Sequence, residues 1–236
     1  MAAYCLVPGR HQTPHTYLTA RLRPSRSASP QQIGWLAQFP AALRQVALVR
    51  LVASIGAGGV LYLTPIVFHQ AAFSAQAVTQ GLALAALAGT AGRFLSGTLL
   101  DRGLACSIPV LLAATAALLG DLRLLGTTSF IGYLQGQLLI GIAAGLYWPA
   151  IELAVPLGCR TGAAPIPPAR GFALGRSADA AGIATGALLG ALLAASGRLR
   201  GIYLIDIVCL LVVVALLLRQ PLQRASPASL DPADHT

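Results

Sequence analysis

Charged side chains are scarce in this chain of 236 residues, and lysine is absent altogether. Only 10% of the residues are charged, whereas 56% are hydrophobic, and the mean hydropathy is +0.72. A soluble domain typically has about 25% charged residues. The composition therefore excludes an ordinary soluble domain and indicates an integral membrane protein.

Recognisable catalytic and metal-binding motifs are also missing. The sequence contains no Gly-x-Ser-x-Gly, no His-Glu-x-x-His and no phosphate-cradling Gly-x-x-x-x-Gly-Lys. The four cysteines, Cys5, Cys106, Cys159 and Cys209, lack the paired spacing of zinc ligands. We therefore expect no enzyme, no metal and no cofactor. A membrane enzyme is a remote third possibility, because no facing catalytic pair is evident.

Long uncharged intervals predict where the chain crosses the bilayer. No charged residue occurs between Arg50 and Arg93, an interval that is too long for one span of roughly 20 residues and fits two. The last apolar run carries only Asp206, close enough to its end to reach water. The pattern predicts six transmembrane helices, at 44–68, 76–100, 106–126, 129–155, 173–196 and 201–219.

The basic residues, all arginine, predict the orientation. A cytoplasmic N-terminus leaves only Arg123, Arg198 and Arg200 outside. The positive-inside rule therefore favours a multi-pass protein with both termini in the cytoplasm, in the plasma membrane, which for a bacterium is the inner membrane. The net charge of +9 then reflects topology, and we expect membrane lipid rather than nucleic acid as a partner.

The two ends of the chain differ from the apolar middle. Residues 1–43 carry several arginines and no acid before the first predicted helix, which predicts a disordered basic cytoplasmic tail. An organelle transit peptide has the same composition and stays an alternative. Residues 220–236 contain three prolines, and we expect a disordered C-terminal tail there.

Glycines recur at four-residue spacing inside the predicted helices. Gly182, Gly186 and Gly190 form such a row in helix 5, and Gly141 and Gly145 form another in helix 4. In lipid, rows of small residues let helix backbones approach closely. The rows therefore predict a compact helix bundle.

Helix 4 also carries a polar and aromatic stripe. At about 100° per residue, its members fall on one third of the helix circumference: Tyr133, Gln137, Gly141, Gly145, Trp148 and Glu152. Such a stripe should avoid lipid, either as the lining of a transport cavity or through buried interhelical hydrogen bonds. Glu152 should have an arginine partner. At the start of helix 5, Arg176 and Asp179 are spaced to form a local ion pair.

A short hinge separates predicted helices 2 and 3, with Gly97 followed four residues later by Asp101 and Arg102. This hinge, the order of helices and the glycine row of helix 5 resemble the N-terminal half of a major facilitator superfamily (MFS) transporter. The family's hinge motif is Gly-x-Leu-Ala-Asp-Arg-x-Gly-Arg-Arg, which Gly97, Leu99, Asp101 and Arg102 match in register. The motif's basic pair is replaced here by Ala105 and Cys106.

Helices 4 and 5 give partial matches. The helix 5 row resembles the family's antiporter motif, with Ala187 and Ala191 in place of its Pro and last Gly, and Gln137 stands where many members carry an Arg. The resemblance implies that Asp101 and Arg102 bias a conformational equilibrium with Glu152 as a possible partner. It also implies that Tyr62, Tyr133, Gln137 and Trp148 contact a small-molecule substrate.

The chain supplies six helices, whereas the family fold has twelve in two halves related by an axis along the membrane normal. A homodimer, a separately encoded second half and a truncated copy all remain open. The leading hypothesis is a transporter or half-transporter of a small solute or drug-like compound that works by alternating access. The alternative is a truncated or non-transporting membrane protein, or an interaction module, derived from such a transporter.

Overall fold

The structure is a computed structural model that describes residues 35–161 and 165–224. After a short 3-10 turn at Trp35–Gln38, the described part folds into six long helices. Each helix is long and apolar enough to cross a membrane, so the predicted fold class, an all-α protein with six spanning helices, is confirmed. The helices are α1 (Ala41–Gln70), α2 (Ala75–Asp101), α3 (Ser107–Gly126), α4 (Phe130–Cys159), α5 (Pro168–Ala195) and α6 (Gly201–Arg219).

The helix bounds differ most from the predicted ones around the connection between α4 and α5. Prediction ended helix 4 at 155, but α4 continues through Pro156 to Cys159. Neighbouring helices in a bundle compensate for the hydrogen bond that a proline removes. Helix α5 begins five residues earlier than predicted, because Pro168 occupies its first position, where a missing N–H has no intrahelical partner to lose.

Most of the two predicted tails, residues 1–34 and 225–236, lies outside the described residues. The described remainder is packed. Helix α1 begins at Ala41, and Leu222 is buried in the core although it follows α6. The carbonyl of Gln220 accepts a hydrogen bond from the side chain of Gln45, and the Cys106 backbone N–H donates to the Gln223 carbonyl at 3.0 Å. The chain therefore packs against the helices at Gln220, Leu222 and Gln223.

The helices pack in a pattern with internal symmetry. Helix α1 packs mainly on α5 and α6, α4 packs mainly on α2 and α3, and α3 also contacts α6. If α1, α2 and α3 are exchanged with α4, α5 and α6, respectively, the same set of contacting helix pairs results. Inverted repeats of three helices are the arrangement nested in each half of MFS transporters.

Glycines make both of the closest helix crossings. On α5, a Cβ at Gly182 would lie 2.6 Å from the Leu51 carbonyl oxygen, and one at Gly186 would collide with the Ile55 carbonyl, both on α1. On α4, a Cβ at Gly141 would collide with the Ala85 carbonyl of α2. The compact bundle that the glycine rows predicted is therefore present, at α1–α5 and at α2–α4.

Two apolar clusters mark the ends of the bundle. One contains Leu43 near the start of α1, Cys106 before α3, Cys159 at the end of α4, and Leu222. We call this end the hinge end. The opposite cluster contains Phe68, Leu124, Tyr133, Leu199 and Tyr203, and we call it the far end.

The hinge itself is a glycine-terminated helix end. Helix α2 ends at Asp101, Arg102 follows, and Gly103 has a φ of +73°, a conformation that side chains with a Cβ disfavour. The Gly103 N–H donates to the Leu100 carbonyl at 2.9 Å and the Leu104 N–H to the Leu99 carbonyl at 3.3 Å. Gly103 therefore reverses the chain here, whereas Gly97 lies within α2 with open space around it.

Candidate functional site

A buried ion network joins α1, α4 and α5 in the half of the bundle nearest the hinge end. The Arg50 side chain on α1 is only 1% exposed. Its Nη2 lies 3.3 Å from Oε1 of Glu152 on α4 and 3.6 Å from Oδ2 of Asp179 on α5. A buried charge is costly unless it is paired and hydrogen-bonded. Arg50 is therefore stabilised by two carboxylates from two other helices.

Each acid of this network has a second partner. Oδ1 of Asp179 accepts a 2.6 Å hydrogen bond from the Ser54 hydroxyl, one turn after Arg50 on α1. Oε1 of Glu152 accepts a 2.9 Å hydrogen bond from Nη2 of Arg176, whose side chain is 60% exposed. The network therefore runs from the interior of the bundle to its surface through Glu152.

The guanidinium groups of Arg50 and Arg176 both lie over the Trp148 ring. The guanidinium carbon of Arg50 lies 4.9 Å from the centre of the Trp148 ring, and that of Arg176 lies 5.9 Å from it. Such placements are attractive because the face of the ring is electron-rich. Pro149 follows directly and leaves the Gly145 carbonyl without its helical donor. Trp148 therefore lies where α4 lacks one backbone hydrogen bond.

The predicted ion pair between Arg176 and Asp179 is wrong for this conformation. The two residues are three positions apart, but Arg176 pairs with Glu152 and Asp179 pairs with Arg50. Each side chain pairs with a residue on another helix. Arg50 is buried and needs a carboxylate partner, whereas Arg176 is exposed and does not, so Asp179 pairs with Arg50.

A cavity of about 230 Å³ lies beside this network, in the middle of the bundle. Its wall is formed by α1, α3, α4, α5 and α6 and consists mostly of alanine and aliphatic side chains. The polar lining residues are Ser54, Tyr147, Asp179 and Asp206. The cavity therefore offers an apolar chamber with acidic groups at separate positions and an aromatic wall.

Tyr147 and Arg50 keep unused hydrogen-bonding capacity next to the cavity. The Tyr147 hydroxyl and the Arg50 Nε are buried and have no hydrogen-bond partner among the described residues. Buried polar groups are nearly always hydrogen-bonded, so each exception calls for an explanation, of which a functional role is one. Tyr147 lines the cavity, but its hydroxyl is enclosed by protein and does not open onto the cavity in this conformation.

The four residues predicted to contact substrate lie in different parts of the structure. Trp148 lines the cavity. Tyr133 is fully buried and donates a 2.8 Å hydrogen bond to the Val78 carbonyl on α2, within an aromatic cluster at the far end. Gln137 is buried on α4 and is not part of the cavity wall, and Tyr62 is 57% exposed on the outside of α1. One part of the helix 4 stripe therefore packs against other helices, and another part lines the cavity.

The hinge residues lie apart from this site. Asp101 and Arg102 are exposed at the hinge end, and Glu152 pairs with Arg50 and Arg176 instead of Arg102. The pairing of Glu152 with Arg102 is absent from this conformation. The helix 5 glycines, Gly182, Gly186 and Gly190, contact α1 and hold Asp179 close to Arg50.

Arg50 and Tyr147 are the site residues that sequence reasoning missed. Arg50 lies inside the predicted span 44–68, but as the first residue of an uncharged interval it gives no sequence signal of a partner. The signal that identifies it is its spacing, because Arg50, Ser54 and Gly58 share one face of α1 and all three are buried. Tyr147 adjoins Trp148 in sequence but lies about 100° around the helix from it, off the predicted stripe.

Comparison with known proteins supports the fold. No family model and no curated protein sequence matches the chain. Among the solved structures that match is the crystal structure of a POT family transporter in complex with 5-aminolevulinic acid, with a TM-score of 0.68 and 15% sequence identity. The match covers 80% of this chain and 39% of that chain. The chain therefore shares its fold with part of that transporter and spans less than half of its length.

Proposed function

We propose that this chain is a six-helix half of an MFS-type transporter that moves a small, mostly apolar solute by alternating access. Its place would be the bacterial inner membrane, with the hinge end and both termini on the cytoplasmic side. The observation that carries the proposal is the apolar cavity beside a buried Arg50–Glu152–Asp179 network, on a fold shared with part of a transporter.

The ion network suits a protein that changes conformation. Glu152 is shared between a buried arginine and an exposed one, so a modest movement of α4 can exchange its partners. Packed interfaces of this kind tend to have a few discrete arrangements. In the proposed cycle, Trp148 and Tyr147 contact the solute, while the network couples the position of α4 to that of α1 and α5.

The exposed faces of α2 and α5 support a second half. These two helices are the least buried of the six. Besides large apolar side chains, their exposed residues include Arg93, Thr90, Arg176 and Thr185 at positions inside the spans. Arginine inside a span is costly in lipid and normally faces protein or a water-filled cavity.

We propose that a second copy of this chain, in the same orientation, covers these faces. The two halves of an MFS transporter are related by an axis along the membrane normal, so two parallel copies reproduce their geometry. A separately encoded second half is the other possible partner. Cross-linking of Arg93→Cys to itself in membranes distinguishes the two, because only the homodimer joins identical positions.

Liposomes reconstituted with the purified chain test transport directly. In the proposed cycle the Tyr147 hydroxyl, which is buried in this conformation, bonds the solute when the cavity opens. We expect uptake of a small amphiphilic fluorescent solute, reduced about tenfold by Tyr147→Phe because that contact, worth about 1.4 kcal/mol, is lost. Tyr62→Phe removes an exposed hydroxyl from the same bundle and should leave uptake unchanged. If the reconstituted chain moves none of the solutes that cells expressing it accumulate or expel, independent transport is wrong.

A non-transporting membrane module is the second candidate, and the large apolar side chains exposed on α2 and α5 favour it. In that case the cavity is a packing defect and the exposed faces bind another membrane protein. The neighbouring reading frame distinguishes the two functions cheaply, since six further helices of the same kind there would identify a split transporter.

The hinge can be tested in the same system. We expect Asp101→Asn combined with Arg102→Ala to change the populations of the two conformations by up to about fivefold, since interactions of exposed charges contribute at most about 1 kcal/mol. The measurement is the labelling rate of Ala53→Cys, which lines the cavity, in a chain whose natural cysteines are replaced. Arg219→Ala removes another exposed charge at the hinge end and serves as the control. Unchanged labelling and transport would make the hinge only a turn.

A further inference from the structure

Two aspartates lie against each other in the far half of the bundle, outside the ion network. Asp121 on α3 is fully buried, and Asp206 on α6 is 5% exposed. Their carboxyl groups are within hydrogen-bonding reach of each other. Gly56 on α1 makes this possible, since any Cβ there would collide with the Asp206 carboxylate.

Neither aspartate has a cationic partner among the described residues. The ion pairs found there all belong to the Arg50 network, and both carboxylate oxygens of Asp121 are buried without a hydrogen-bond donor. The arginines nearest in sequence are engaged elsewhere. Arg200 donates to the carbonyls of Leu125 and Thr127, and Arg123 donates to Gln135.

The other titratable groups around the pair are neutral near neutral pH. Tyr203 of α6 lies next to Asp121, and its hydroxyl donates to Thr64 of α1 at 3.2 Å. Cys209 of α6 lies next to Asp206, and Tyr133 of α4 lies beyond Tyr203. Tyrosine hydroxyls and cysteine thiols ordinarily ionise well above pH 7. No neighbour therefore compensates two negative charges.

Two carboxylates cannot hydrogen-bond to each other, because both are acceptors only, whereas one added proton creates a donor and an acceptor. Like charges at this separation in an apolar interior repel strongly, and one shared proton removes the repulsion. We propose that Asp121 and Asp206 form a proton-binding site that holds one shared proton and exchanges it with the central cavity through Asp206.

The cavity provides the route. Asp206 lines it directly, as does Ala117, one turn before Asp121 on α3. In the described part of the chain, no group of three or more His, Cys, Asp or Glu side chains could hold a metal ion. A proton therefore fits the two-carboxylate site better than a metal ion, which needs more ligands. The site goes beyond the proposed function and does not require that the chain transports anything.

Infrared spectroscopy of the purified chain in micelles of an alkyl maltoside, a detergent without carbonyl groups, tests the site without a transport assay. At neutral pH we expect the C=O stretching band of one protonated carboxylic acid, separated from the bands of ionised carboxylates. Asp121→Asn combined with Asp206→Asn should abolish this band, because neither side chain then has a carboxyl group. The two amides supply their own donors and acceptors, so the pair should still pack. Asp101→Asn removes an exposed carboxyl group and should leave the band intact.

Three results would overturn the assignment. The band could be absent from the wild-type protein, or it could persist in the double variant. It could also disappear when sodium chloride replaces choline chloride, which would identify a sodium site. Transfer to D₂O tests the route, since access through the cavity requires that the band shift as the proton exchanges, and a band that does not shift contradicts the exchange through Asp206.

Discussion

Arg50→Met is expected to lower the free energy of unfolding by about 3–5 kcal/mol, the cost of removing one partner from a buried ion pair. The side chain is 1% exposed and faces both Glu152 and Asp179. Methionine fills similar space but leaves two carboxylates without their shared cation. Unfolding in mixed micelles with increasing dodecyl sulfate, followed by circular dichroism, measures the change.

Arg176→Met is the matched control for this prediction. It removes the other cation bound to Glu152, but the Arg176 side chain is 60% exposed, so the expected loss is less than about 1 kcal/mol. Equal losses for the two variants would contradict the view that burial makes Arg50 the centre of the network.

A compensating variant separates charge from packing. Adding Glu152→Gln and Asp179→Asn to Arg50→Met removes the charges of both carboxylates that faced Arg50 while keeping side-chain volume. Replacement of a buried ion network by neutral groups of similar shape is often close to neutral in stability. We therefore expect the triple variant to recover most of the loss. A triple variant as unstable as Arg50→Met would show that the arginine contributes through packing alone.

The fold could be predicted because the membrane imposes a strong and simple constraint. Spans need about 20 apolar residues, and charges are rare within them, so uncharged intervals located all six helices within five residues of their observed ends. The glycine rows predicted close crossings because lipid favours helix contact through small residues. The glycine rows did not predict which helix each of them contacts, since nothing in the row at Gly182 to Gly190 indicates α1 rather than α4.

The site was harder because its members come from distant parts of the chain. Glu152 was predicted to need an arginine, but the sequence offers 16, and only the α1–α4 contact selects Arg50. Asp206 lies against the cavity and is 5% exposed, instead of lying at the outer end of its span, for a related reason. It lies only five residues into α6, but Gly56 lets α1 approach closely enough to bury it. Asp121 lies near the end of a predicted span, and nothing in the sequence indicates that it contacts a residue of α6.

Gly186→Ala is expected to destabilise the bundle by about 1–3 kcal/mol, the usual range for inserting a methyl group into a filled interface. A Cβ at Gly186 would collide with the Ile55 carbonyl oxygen and lie 3.2 Å from the Cα of Gly58. Both contacts are with backbone, which cannot rotate away as a side chain can. Helices α1 and α5 must therefore separate, which also pulls Asp179 away from Arg50.

Gly97→Ala tests the opposite case in the same protein. A Cβ at Gly97 has nothing within 4 Å, and the residue lies inside α2 without a positive φ. Alanine should therefore stabilise α2 by about 0.5–1 kcal/mol, because glycine loses more backbone entropy in a helix. The two variants make the same chemical change with expected effects of opposite sign. If Gly186→Ala were as stable as Gly97→Ala, the α1–α5 crossing would be looser than its glycines require, and Asp179 would need another reason to meet Arg50.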